Sequence, residues 1–189
     1  MTDTAKLVEI RWHGRGGQGA VTSAELLARA AISEGKNAQA FPSFGPERRG
    51  APVLAFDRIS KKDPIRVRAE ITEPDIVIVL DPGLVNIINV TAGLKDGGVI
   101  VVNTKKSLED MAAGFDGKWR VATVDATKIA RELLKVNIVN TTMLGALLKA
   151  TGVVKIESLI EPLKTRFGGL AERNANAMKK AFEETRVKE

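Results

Sequence analysis

Short β-branched and aliphatic runs alternate along the chain with stretches whose apolar positions recur every three or four residues, a pattern that predicts an α/β fold. Residues 7–12 predict a first strand, and residues 20–34 a helix with Leu27, Ala28, Ala31 and Ile32 as its apolar stripe. Gly35 stands where a helix end favours positive φ. Residues 38–41 predict a short second strand, and 53–59 and 65–71 a pair of strands around the turn 60–64. Residues 75–81 are nearly all Ile, Val and Leu between two aspartates, and 99–103 are similar; both predict strands buried on two faces. A further strand is expected at 120–125, followed by a helix over 126–135. The last third reads as helical. It comprises 141–150, with Asn140 or Thr141 suited to cap it; 156–166, with Pro162 awkward near its middle; and 170–186, presenting Leu170, Asn174, Ala177, Met178, Ala181 and Phe182 on one face. No repeat or low-complexity segment interrupts the pattern. Residues 1–189 therefore read as a single three-layer α/β/α domain with a mainly parallel sheet, Rossmann-like in type.

Composition narrows the chemistry. The chain has no cysteine and one histidine, His13, so disulfides, cysteine nucleophiles and thiolate-held clusters or zinc cannot come from this chain alone. No apolar run approaches the ~18 residues that a membrane-spanning helix requires, and residues 1–6 lack the apolar stretch of a secretion signal. A cytoplasmic protein without membrane contact is expected. The net charge of +6 is spread among acids, and aromatics make up only 4% of residues, which argues against nucleic acid as a partner.

Gly14, Gly16 and Gly19 satisfy G-x-G-x-x-G between a predicted strand and a predicted helix, within the loop Gly14-Arg15-Gly16-Gly17-Gln18-Gly19. Such a loop can bring backbone amides close to a phosphate at a helix N-terminus. No carboxylate ends the strand at 38–41, where a dinucleotide ribose would need one. Arg48 and Arg49 leave an NADP-binding oxidoreductase as the alternative reading, since they could meet a 2′-phosphate. Equally, the glycines can serve only to turn a strand into a helix beside a partner, with Arg15 and Gln18 facing that partner. Residues 42–52 hold three prolines and should form a stiff loop presenting Arg48 and Arg49, either to a carboxylate of another subunit or to an anionic cofactor. His13, Asp81 and Asp125 end predicted strands, where a structural histidine and helix caps are the simpler roles; no nucleophile–base pair can be assembled.

Three segments together resemble the gamma subunits of 2-oxoacid:ferredoxin oxidoreductases: Ile10-Arg-Trp-His-Gly-Arg-Gly-Gly-Gln-Gly-Ala20, Phe41-Pro-Ser-Phe-Gly-Pro-Glu-Arg-Arg-Gly-Ala-Pro-Val53, and Asn140-Thr-Thr-Met-Leu-Gly-Ala-Leu147 with the preceding Val124-Asp-Ala-Thr127. The resemblance covers essentially the whole chain. It implies an enzyme of alpha, beta, gamma and delta subunits that decarboxylates a 2-oxoacid, passes electrons to ferredoxin and forms an acyl-coenzyme A. Thiamine diphosphate and [4Fe-4S] clusters would then be held by the other subunits. The form around Arg48 and Arg49 is similar to that of members acting on pyruvate and branched-chain oxoacids. By the same resemblance this chain is structural, or assists coenzyme A through Gly14, Arg15, Gly16, Gly17, Gln18, Gly19, Arg48 and Arg49.

Overall fold

A computed structural model describes residues 7–43, 51–115 and 117–188. Seven strands form one sheet: β1 (Leu7–Arg15), β2 (Asn37–Pro42), β3 (Pro52–Ser60), β4 (Ile76–Val79), β5 (Val99–Asn103), β6 (Arg120–Val124) and β7 (Arg186–Lys188). Their order is β2-β3-β1-β4-β5-β6-β7. β1, β4, β5 and β6 run parallel, β3 lies antiparallel between β1 and β2, and β7 lies antiparallel on the other edge. Side chains alternate across the sheet. Ile10, Trp12, Ile78 and Val101 enter the larger core, under α1 (Ala20–Ser33) and α4 (Asn140–Thr151). Val77, Val79, Ile100 and Val102 enter a second core beneath α2 (Leu108–Ala113) and the 3-10 turn Pro82–Asn86. Burial on both faces is why 76–79 and 99–103 are continuously apolar; each fully buried Val or Ile contributes about 1.5–3 kcal/mol. The expected α/β/α architecture is the one found.

The helices α3 (Ala126–Leu133), α5 (Ile160–Phe167) and α6 (Ala171–Glu184) complete the fold. Pro162 falls in the first turn of α5, where its missing N–H costs nothing, because residues 156–159 form a separate 3-10 turn. Asn140 does not cap α4 from outside. It is the helix's first residue, and its Oδ1 accepts from the Thr141 N–H at 2.9 Å. Two apolar residues expected in the core are exposed, Ile32 at 56% and Leu170 at 55%. On α1 the closely packed contacts are made mostly by small residues such as Ala20, Ala24, Ala30 and Ala31, which leave Ile32 on the outer side.

Two segments differ from the pattern reading. Residues 186–188 leave α6 and pair with β6, because Thr185 turns extended with its hydroxyl bonded to the Ala181 carbonyl. Residues 65–71 form no strand. β3 already has β1 and β2 on its two sides, so it offers no open ladder, and the segment instead crosses the sheet face. There Arg58 donates to the carbonyls of Val67 (3.3 Å) and Ala69 (2.7 Å) and to Glu9 Oε1 (2.9 Å), while lying over the Phe41 ring.

That half of the sheet is therefore polar where one expects apolar side chains. Arg11, buried, donates from Nε to His13 Nε2 at 3.0 Å and from its terminal nitrogen to the carbonyls of Val90 and Ala92. Burial, with the Arg11 charge beside it, drives the His13 pKa from 6.5 down to about 3. On the opposite face Asp57 is fully buried and accepts from Trp12 Nε1 at 2.7 Å; burial pushes its carboxyl well above the usual range.

These two groups oppose each other on acidification. The folded state holds His13 neutral while the unfolded chain protonates it, so its contribution is intact above pH 6.5 and is lost as pH falls towards 3. Asp57 binds its proton more tightly when folded, so its contribution grows as pH falls towards the unfolded carboxylate value. Denaturant unfolding between pH 7 and pH 4 should show His13→Gln losing less stability on acidification than the parent, by up to about 1.4 kcal/mol per pH unit below 6.5. Asp57→Asn should lose more. An unchanged slope in either variant refutes the assignment.

Candidate functional site at the end of the first strand

The glycine loop joins β1 to α1 beside β4, at the carboxyl ends of the parallel strands, where α/β folds gather their ligands. Gly17 (φ +90°) and Gly19 (φ +81°) hold left-handed conformations. The loop is closed on itself: the Arg15 N–H donates to Gln18 Oε1 (2.8 Å) and the Gln18 N–H to the Arg15 carbonyl (3.0 Å). Its two polar side chains turn inwards. Arg15 Nε and Gln18 Nε2 each donate to Asp81 Oδ2 at 3.0 Å, while Asp81 Oδ1 accepts from the Gly83 N–H at 2.8 Å. One carboxylate thus anchors the loop and caps the turn that follows β4.

The other two motifs arrive at the same place. The Gly16 N–H donates to the Ala51 carbonyl (3.1 Å), which holds one flank of residues 44–50 against the loop, while the Ser43 N–H donates to the Leu54 carbonyl (2.9 Å) and ties the other flank to β3. Arg48 and Arg49 themselves lie outside the described residues. From the third motif, Asn140 packs against Gly19, where an added Cβ would lie 2.7 Å from its Nδ2, and Ser23 Oγ donates to the Asn140 carbonyl at 3.2 Å. Gly145 of that motif touches the backbone of α6: an added Cβ would sit only 2.0 Å from the Met178 carbonyl oxygen.

The strand-end groups have structural work. Asp125 accepts from the Lys128 N–H at 2.9 Å, as a cap for α3. His13 is buried beside a cation and stays neutral, which removes it as a base near neutral pH. Asn103, which the pattern reading passed over, ties three elements together: its Nδ2 donates to the Leu80 carbonyl (2.8 Å) and Thr127 Oγ1 (2.9 Å), and its Oδ1 accepts from the Thr127 N–H. The available signal was a lone amide ending an apolar run.

The NADP arrangement loses its basis in this topology. In a dinucleotide-binding fold the second strand lies next to the first and brings the ribose carboxylate to the loop. Here antiparallel β3 separates β2 from β1.

Beside the loop lies a cleft of about 380 Å³ between the start of α1 and the α5–α6 corner. Gly17, Gly19 and Thr22 form one side of it. α1 begins there without a side-chain cap and with no acid in its first turn, so its positive dipole end is uncompensated. Arg166 and Arg173 stand on the opposite side, and no carboxylate lines the cleft among the described residues.

The model of the family described as pyruvate ferredoxin/flavodoxin oxidoreductase matches residues 9–184. A Thermococcus kodakarensis protein named pyruvate/ketoisovalerate oxidoreductases common subunit gamma is 57% identical over 97% of this chain and 100% of its own length. Pyruvate synthase subunit PorC of Methanothermobacter thermautotrophicus is 52% identical, over 94% of this chain and 96% of its own. Among solved structures, pyruvate oxidoreductase subunit PORC of Thermotoga maritima superposes with a TM-score of 0.86 at 38% identity, covering 97% of this chain and 99% of that one.

Two glycines of the site should be irreplaceable for distinct reasons. Gly19→Ala combines a left-handed backbone with a clash against Asn140 and should cost about 1–3 kcal/mol. Gly145→Ala must separate α4 from α6 and should cost at least as much. Urea unfolding of each variant checks this; a loss under about 0.5 kcal/mol, typical of a surface change, would contradict the packing described.

Proposed function

Because the chain belongs to the pyruvate ferredoxin/flavodoxin oxidoreductase family, as a gamma-type subunit, we propose that it acts as a single-domain, non-catalytic subunit that helps hold coenzyme A. The assembled cytoplasmic enzyme decarboxylates pyruvate, or pyruvate and branched-chain 2-oxoacids, transfers the acyl group to coenzyme A and delivers electrons to ferredoxin. The names of the close relatives support that substrate range. The alpha, beta and delta subunits carry thiamine diphosphate and the [4Fe-4S] clusters, in keeping with a chain that has no cysteine to ligate a cluster.

The observation that carries this reading is the meeting of all three motifs at one end of β1. Gly16 holds Ala51, Gly19 faces Asn140, and Arg15 is fixed by Asp81. Such a site is preorganised for an anion more than for bond-breaking. Its acids and its histidine are engaged in caps, an ion pair and a buried contact. Arg48 and Arg49, just before the Ala51 that Gly16 holds, are the charges that would clamp the coenzyme's phosphates.

The chain purified alone should give no turnover with a 2-oxoacid, thiamine diphosphate, coenzyme A and a dye acceptor; sustained turnover without partner subunits would defeat the reading. In the reconstituted complex, Arg48→Ala with Arg49→Ala should raise the apparent KM for coenzyme A about tenfold or more, since a charge-assisted contact contributes about 1.5–3 kcal/mol. The KM for the oxoacid should be unchanged. Loss of assembly instead would reassign the two arginines to a subunit contact.

A further inference from the structure

The cleft beside the glycine loop carries large aliphatic side chains that this chain leaves exposed. Leu134 and Phe167 line it partly buried, whereas Val136 is 45% exposed, Ile138 42% and Leu170 55%. They are three of only seven large apolar side chains exposed among the described residues, and they surround one depression. A scattered exposed aliphatic residue is ordinary; a cluster framed by charge marks an interaction surface. The loop that raises Val136 and Ile138 contains Lys135 at φ +61°, the one non-glycine residue with positive φ among those described. An unfavourable backbone shape therefore presents apolar groups to solvent, an arrangement that gains nothing within this chain.

The charge on this surface has one sign. Arg166 precedes Leu170 by four residues and Arg173 follows it by three; both are exposed, and neither has an ion pair or hydrogen bond among the described residues. The uncapped start of α1 adds positive potential from the facing side of the cleft. Apolar side chains between arginines, with no acid among the residues lining the cleft, match the composition of a protein interface whose other half brings aliphatic groups and carboxylates.

From this we infer that the α5–α6 corner is a docking surface for a segment of another subunit that presents apolar residues flanked by Asp or Glu. The inference rests on the reading of this chain as a subunit of a larger enzyme. The occupant is a polypeptide because two arginines flank three exposed aliphatic side chains: an aliphatic segment carrying acids, laid across the cleft, covers all three and supplies both carboxylates. Its carboxylates would reach Arg166 and Arg173 bidentately.

The test uses the co-expressed complex with an affinity tag on this chain. Leu170→Asp, and separately Arg166→Glu with Arg173→Glu, should reduce the recovered partner subunits about tenfold or more, while the melting temperature of each variant chain expressed alone stays at that of the parent. A photo-crosslinking residue at Ile138 should attach to a different subunit, at a peptide rich in aliphatic and acidic residues. Full assembly of both variants overturns the inference, as does a crosslink to a second copy of this chain. Intact assembly with only the KM for coenzyme A raised would give the cleft to the coenzyme and equally overturn it. If the parent chain recovers no partner at all, it is the subunit reading that fails, and this inference with it.

Discussion

One strand has to satisfy two neighbours that run in opposite directions. β1 pairs antiparallel with β3 over nine positions and parallel with β4 over four, and the rest of the architecture follows from that demand. The antiparallel partner displaces β2 to the edge, which ends any likeness to a dinucleotide site despite the glycine spacing. It also closes both sides of β3, so residues 65–71 lie across the face and bond through Arg58 to the sheet. The carboxyl end of β1 becomes the point where α1 departs and where β4, running alongside, also ends. A carboxylate at the end of β4 is then placed to hold the loop at the end of β1.

Much of this was legible. Runs such as Ile76–Val79 and Val99–Asn103 announce their strands because burial on both faces removes every polar alternative. α1 announces itself by its periodicity, and Asp81 and Asp125 occupy the capping roles expected of them. What stayed hidden depended on partners remote in sequence. The alternation at 65–71 is as good as that of a true strand; what it lacks is an edge to join, and no local pattern records that. Leu170 looks like a core residue on a helical wheel, yet α6 starts at the following residue and turns it outward. The Asp81 anchor needed two donors from 63 and 66 residues earlier in the chain. Gly145 gave no hint from sequence alone that a second helix backbone lies against it.

Buried charge distinguishes the two halves of the molecule. Around β4 and β5 both faces are apolar and the packing is non-directional. Around β1 and β3 one face is held by Arg11 and Arg58, whose guanidinium groups satisfy four carbonyls of the irregular chain above, with Glu9 paired to Arg58 and Asp75 to Lys95 alongside. Such bonds are directional and costly to leave unmade. They fix a covering segment that has no regular structure of its own, and with it the sheet end where the three motifs meet.

The sheet's two margins have a consequence for how the enzyme can be put together. One margin is β7, three residues long and bearing Arg186 and Lys188; the other is β2, which closes on Pro42, a residue without an N–H to offer. Neither invites a foreign strand. Neighbouring chains must therefore grip this one through side chains on its faces and corners, leaving its backbone ladder intact. A gamma chain held in that manner can be inserted or withdrawn as a finished, folded part.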